Sequence, residues 1–202
     1  MNRILLHVTS ALCLLALAVL AHAAPKVGQP APDFTSVDSH GATHGLKDYR
    51  GKIVVLEWTN HQCPFVGKHY ATGNMQALQK AATEVGVAWL SVISSAPGKQ
   101  GHVSGPEANA LTASRQASPT AVLLDADGVV GRLYDARTTP HMYIIDASGT
   151  LVYMGGIDDK ASTQYGDVKT AKNYVRVALD ELRGDQAVST PVTRPYGCSV
   201  KY

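Results

Sequence analysis

The chain has 202 residues, of which 45% are hydrophobic and 17% charged, and its formal net charge is +2. Such a composition belongs to a globular domain with a real hydrophobic core and excludes a disordered chain. So weak a charge bias, without a basic cluster, gives no basis for capture of nucleic acid.

Arg3 places a positive charge at the start, an apolar stretch follows that is densest from Ala11 to Leu20, and Ala21-His22-Ala23 puts small residues at its end. This is the pattern of a secretory signal peptide, so residues 1–23 are expected to be removed and the protein exported, to the bacterial periplasm. A membrane anchor fits less well, because the run is short for a span of ~20 residues and is interrupted by His7, Thr9 and Ser10. Nothing later in the chain has the length to span a bilayer, so no membrane partner is expected after cleavage. Cys13 leaves with the signal. Cys63 and Cys198 remain, and a pair of cysteines in an exported protein suits an oxidising compartment.

Pro25 to Pro32 reads as an extended entry segment. Lys52 to Trp58 is apolar and β-branched, the signature of a buried strand. Thr59 to Gln62 is polar, and Pro64 stands where a helix favours its first residue. Phe65, Val66, Tyr70, Ala77, Leu78, Ala81 and Val85 then recur at helical spacing. Gly67 and Gly73 each weaken that helix by ~1 kcal/mol, which predicts a bend.

Val87 to Ile93 is a second strand, and the Pro-Gly and Ser-Gly-Pro steps between Ser94 and Pro106 make a loop. Glu107 to Arg115 is a short helix, Ala121 to Leu124 a third strand, and Gly128 to Ala136 a helical turn or two. Met142 to Asp146 is a fourth strand, joined through Ala147-Ser148-Gly149 to an antiparallel partner at Leu151 to Met154. From Asp167 to Arg183, Val168, Ala171, Val175, Ala178, Leu179 and Leu182 share one face of a closing helix. The order predicts an α/β domain over 24–184, with a mixed central sheet flanked by helices. Residues 185–202 form an extended tail carrying Cys198.

Two features carry chemistry. Cys63 sits at a strand-to-helix junction, where the free amides of the helix start stabilise a thiolate, lower the thiol pKa and raise reactivity. Thr138-Thr139-Pro140 precedes the fourth strand, where a proline is tolerated because it lacks the amide donor. Glu57, at the end of the strand before Cys63, is a candidate proton acceptor, with an exposed strand end as the alternative. Arg132 and Arg137 are candidate cations for the thiolate. Asp158-Asp159 are expected to cap a turn.

These residues together resemble the thioredoxin superfamily, in which a reactive cysteine opens the first helix and a cis-proline loop faces it. The entry segment Gly28 to Phe34 and Gly51-Lys52 are similar to the redoxin branch. Leu56 to Asn60, Cys63 to Val66, His69-Tyr70, Thr139 to Met142 and the ending Pro195 to Tyr202 resemble exported redoxin-domain proteins of the alkyl hydroperoxide reductase/thiol-specific antioxidant type. The resemblance covers nearly the whole mature chain. It implies a thioredoxin-like fold and a thiol oxidoreductase without a cofactor, acting on a protein thiol or disulfide or on a hydroperoxide. It assigns Cys63 as nucleophile, Thr139 and Pro140 to substrate binding, and Trp58, Glu57 and Pro64 to support.

Two departures stand out. A thioredoxin site has a second cysteine three residues after the first, and that position is Val66. A peroxiredoxin has proline seven residues before its cysteine and threonine or serine three before it, and those positions are Leu56 and Asn60, with Thr59 one residue off. Cys198 is then the candidate resolving thiol, with a static disulfide or a packed thiol as the alternative. A thiol peroxidase and a copper-handling binder are the alternative functions. For the second, His61, Cys63, His69 and His141 offer soft ligands, but at no standard zinc spacing, and no metal ligand is assigned.

Overall fold

A computed structural model describes residues 24–202. The expected signal segment 1–23, with Cys13, lies outside the described residues. Val54–Trp58 (β3) is an interior strand: all five residues are buried, and each is paired on both sides. It runs parallel to Ala88–Ile93 (β4), which runs parallel to Ala121–Leu124 (β5). On its other side β3 is antiparallel to His141–Ile145 (β7), which forms a hairpin with Leu151–Gly155 (β8). Burial on both faces is what a continuous β-branched and aliphatic run demands.

The sequence-predicted strands all appear. A further pair, Thr35–Asp38 (β1) and Thr43–Gly45 (β2), adds to the β5 edge and gives the order β2-β1-β5-β4-β3-β7-β8. Asp38 builds its turn by accepting the amides of His40 and Ala42 through Oδ1, a short-range device that polar residues supply in place of an apolar pattern.

Alternate residues of each strand feed opposite cores. Val54, Leu56 and Trp58 pack with Phe34, Tyr134 and Tyr143 on one face. Val55 packs with Met75, Leu78, Trp89 and Val175 on the other. Pro64–Ala71 (α1), Asn74–Glu84 (α2), Gly105–Ser114 (α3), Val129–Leu133 (α4) and Tyr174–Arg183 (α5) flank the sheet. This is the mixed α/β architecture expected.

Two helices differ from expectation. The helix after Cys63 is not bent but broken: α1 ends at Ala71, and Gly73 adopts a left-handed conformation at the start of α2, while Gly67 stays inside α1. The closing helix is shorter than Asp167–Arg183. Tyr165–Lys169 is a separate 3-10 turn, and α5 begins after Asn173, whose side chain accepts the Arg176 amide. An asparagine with that bond is a strong N-cap, so it starts a helix rather than continuing one. Val168 and Ala171 therefore lie outside the helix, and Val175, Ala178 and Leu179 form its buried stripe.

The tail is not free. Cys198–Ser199 (β9) pairs antiparallel with Thr138–Thr139 (β6), placing Cys198 opposite Thr139. No helix among the described residues is long and apolar enough to cross a membrane.

Candidate active site

The loop before α1 is held by Asn60, which accepts the Gln62 amide (2.8 Å) and donates through Nδ2 to the Gln100 carbonyl (3.1 Å). The Cys63 amide donates to the Asn60 carbonyl (3.0 Å). Cys63 is the N-cap of α1, with Pro64 at the first helical position. The predicted junction is present, and its thiol lies beside the free amide of Val66. Asn60 thus spends its side chain on the loop. Thr59 Oγ1 is buried and has no hydrogen-bond partner.

Facing Cys63 is the Thr-Pro segment. The Thr139–Pro140 bond is cis. The Cys63 thiol donates to the Thr139 carbonyl at 3.0 Å. On the far edge of that segment sits β9, with the Thr139 hydroxyl donating to the Cys198 carbonyl (3.5 Å). Tail contacts continue on both sides. The Val200 amide donates to the Arg137 carbonyl (3.0 Å), the Ala96 amide to the Lys201 carbonyl (2.8 Å), and the Tyr202 hydroxyl to the Ala136 carbonyl (2.8 Å).

These contacts bring the two thiols together. Cys63 and Cys198 are both free cysteines, and both lie against Thr139, Cys63 through its thiol at the Thr139 carbonyl and Cys198 as the strand partner of Thr139. Cys63 is 1% exposed, whereas Cys198 is half-buried, so the tail covers Cys63 and leaves its own thiol nearer solvent. The pair is electrically asymmetric. Burial raises the Cys63 thiol pKa. Hydrogen bonds from the Cys198 thiol, the Thr139 side chain and the amides of Val66 and Cys198 outweigh that and hold it below the ordinary value. Burial, and the adjoining Cys63 sulfur, push Cys198 up to about 11.

Other predicted residues fall elsewhere. Glu57 is fully buried, and its carboxylate accepts from Tyr70 Oη (3.0 Å), Gln79 Nε2 (3.1 Å), Trp89 Nε1 (2.8 Å) and Ser91 Oγ (3.0 Å). None of these bonds involves Cys63, and Glu57 is no exposed strand end. Burial raises its pKa despite the four donors. Trp58 is buried on the opposite face and donates through Nε1 to Ser94 Oγ (3.0 Å). Arg132 lies over the Tyr202 ring and Arg137 pairs with Asp135, so both cations are engaged with other partners.

The histidines do not converge. His61 is in the loop, where burial and Arg115 lower its pKa. His141 Nδ1 accepts the Arg137 amide (3.3 Å) beside Tyr143. His69 is fully buried, bonded to Asn74 and to Tyr196. Among the described residues no three His, Cys, Asp or Glu side chains gather as a metal site.

Sequence reasoning missed the cluster around Tyr196. Asp158 does cap its turn, accepting the Lys160 amide (2.9 Å), whereas Asp159 accepts the amide of Lys172 (2.9 Å) and ties its loop to a distant segment instead. Asp158 is also buried, and it accepts the Tyr196 hydroxyl beside Lys68 and His69. These residues come from α1, from the loop after β8 and from the tail. No local spacing links them.

A family model described as AhpC/TSA family matches residues 27–154. The chain belongs to the AhpC/TSA family. It is 28% identical over 133 residues to the thiol-disulfide oxidoreductase ResA of Geobacillus kaustophilus, covering 62% of this chain and 67% of that one. In structure it resembles an uncharacterized conserved protein of the same organism (TM-score 0.75, 24% identity, 88% of this chain and 92% of that one). It also resembles a hypothetical protein of Sinorhizobium meliloti 1021 (TM-score 0.71, 23% identity, 89% and 96%). At these identities the likeness concerns the fold, which is thioredoxin-like.

Proposed function

We propose that Cys63 and Cys198 are the redox couple of an exported thiol oxidoreductase. Thiol-based oxidoreduction of the thioredoxin/redoxin type agrees with membership of the AhpC/TSA family and with the ResA relative. The observation that carries the assignment is that both cysteines meet at Thr139: the Cys63 thiol lies 3.0 Å from its carbonyl, and Cys198 is its strand partner.

The Cys63 thiolate attacks one sulfur of a disulfide. A mixed disulfide forms, and the partner's other sulfur leaves as a thiolate. Cys198, once deprotonated, attacks the Cys63 sulfur, closes the Cys63–Cys198 bond and releases the second thiolate. Two electrons pass from the protein to the disulfide. Thr139 and Pro140 position the incoming chain, Pro64 fixes the helix start, and Glu57 and Trp58 hold β3 behind it. With a hydroperoxide, the same thiolate yields a sulfenic acid and an alcohol, and Cys198 condenses with loss of water.

The partner is a protein thiol or disulfide. Export rests on the charged start and apolar run of residues 1–23, and it leaves Cys63 and Cys198 as the two thiols of the mature chain. Turnover of a disulfide substrate tests the assignment: Cys63→Ser abolishes it, and Cys198→Ser halts at the mixed disulfide. Unchanged turnover in Cys63→Ser would overturn the reading. Consumption of hydroperoxide at a rate matching the disulfide reaction would move the assignment to the peroxidase class.

A further inference from the structure

Tyr196 stands two residues before Cys198, and its hydroxyl enters a buried charged cluster. It donates to Asp158 Oδ1 and lies 3.2 Å from His69 Nε2 and 3.4 Å from Lys68 Nζ. Lys68 and His69 are 0% exposed and Asp158 is 3% exposed. Lys68 Nζ lies 3.8 Å and His69 Nε2 3.9 Å from Asp158 Oδ2, and Lys68 also donates to the Lys160 carbonyl (2.8 Å). Asn74 bonds the other nitrogen of His69 (2.8 Å). Every charge here is removed from water, so each must keep its partners. The phenol is one of the two donors on Asp158 Oδ1, the Lys160 amide being the other.

The cluster is tied to both thiols. Lys68 and His69 belong to α1, the helix that Cys63 caps. Tyr196 belongs to the tail that carries Cys198, and only Gly197 separates them. At ~3.3 Å per residue, a fixed phenol restricts the Cys198 sulfur to a small volume. The ring also packs edge-on against Phe65, with centroids 5.9 Å apart.

We infer that Tyr196 is a positioning residue for the resolving step: its hydroxyl, held by Asp158, Lys68 and His69, sets where Cys198 sits against Cys63. This rests on the Cys63–Cys198 reading above. The quantity it governs is the effective concentration of Cys198 at the Cys63 sulfur.

Tyr196→Phe keeps the ring and its contact with Phe65 and removes only the hydroxyl. The test is equilibration of the mature protein with reduced and oxidised glutathione. The protein gives two electrons and two protons to one oxidised glutathione, forms the Cys63–Cys198 bond and releases two reduced glutathiones. Intact mass measures the disulfide, the dithiol and the Cys63–glutathione mixed disulfide. Tyr196→Phe is expected to lower the equilibrium constant for the internal disulfide about tenfold and to accumulate the mixed disulfide, because a hydrogen bond to a charged, buried group is lost. Asp158→Asn, which retains the side chain's shape, serves as a second variant and shifts the equilibrium the same way. A purely structural role would lower melting temperature and leave this equilibrium constant unmoved. Wild-type and both variants with equal constants overturn the inference while the redox couple stands. A wild-type protein that forms no Cys63–Cys198 bond overturns both.

Discussion

Gly197 lies against the carbonyl of Thr139 so closely that a Cβ at that position would collide with it, and its φ of +139° is one that side-chain-bearing residues rarely adopt. This single residue lets β9 reach β6. Gly197→Ala is therefore expected to detach the tail rather than unfold the domain. Hydrogen exchange at the Val200 amide, which bonds the Arg137 carbonyl, should rise sharply. Formation of the Cys63–Cys198 bond should slow at least tenfold, on the same loss of effective concentration. Unaltered exchange and closure would mean that the tail tolerates the side chain.

Because β9 covers Cys63, removing residues 195–202 should expose the thiol. Alkylation of Cys63 by iodoacetamide, compared at a pH high enough to ionise the thiol in both proteins, is expected to quicken by about tenfold, since reactivity requires access as well as a thiolate. Equal rates in full-length and truncated protein would show that the tail opens faster than the reagent reacts.

The two thiols should titrate apart. The Cys63 pKa is lowered and the Cys198 pKa raised to about 11, so as pH rises from 6 to 9 Cys63 should alkylate first and Cys198 only slowly. Cys198→Ala removes the largest of the hydrogen bonds lowering Cys63, so the Cys63 profile should move to higher pH. The rate profile of each cysteine, read by peptide mass, checks both statements. A reversed order of reaction contradicts the assigned roles.

Two buried histidines make stability fall in acid. Burial holds His69 down at about 3 and His141 at about 4. Below the unfolded value of ~6.5 the unfolded chain binds protons that the native state refuses. Stability therefore rises with pH across the window from those folded values up to about 6.5. Glu57 works in the opposite sense, because its raised pKa makes the native state bind its proton first. The urea midpoint should be lower at pH 5 than at pH 7, and His141→Asn should reduce the difference. Equal midpoints in the wild-type protein would contradict this account.

How much of this was legible depends on how far apart the cooperating residues lie. Cys63-Pro64 and Thr139-Pro140 are adjacent pairs at strand–helix and loop–strand junctions, so local rules place them, and the apolar runs of β3, β4, β5, β7 and β8 announce a mixed sheet. By sequence, Glu57 is a proton acceptor near Cys63 or an exposed strand end. Its four donors come from α1, α2 and β4, and no one-dimensional pattern reports that they converge. The same holds for Tyr196 with Asp158, Lys68 and His69. The β6–β9 pairing was hidden because two-residue strands bury too little to leave a periodic signature.

Glu57 is then predicted to matter to the fold. Glu57→Ala leaves Trp89 Nε1, Ser91 Oγ, Gln79 and Tyr70 without their acceptor in a closed interior. A loss of about 3 kcal/mol is expected, which lowers Tm by roughly 6–12 °C in a chain of this size. Glu57→Gln should lose less, since it keeps an acceptor oxygen. Calorimetry on both variants measures the difference.

The central claim is that Cys63 and Cys198 form one redox couple. The most direct measurement is peptide mapping by mass spectrometry of mature protein that has been reduced and then oxidised with a small disulfide. The expected result is loss of two hydrogens from the intact protein and one cross-linked peptide pair joining Cys63 to Cys198, absent in Cys198→Ser. Recovery of both cysteines as free thiols, or of stable mixed disulfides on Cys63 alone, would contradict it.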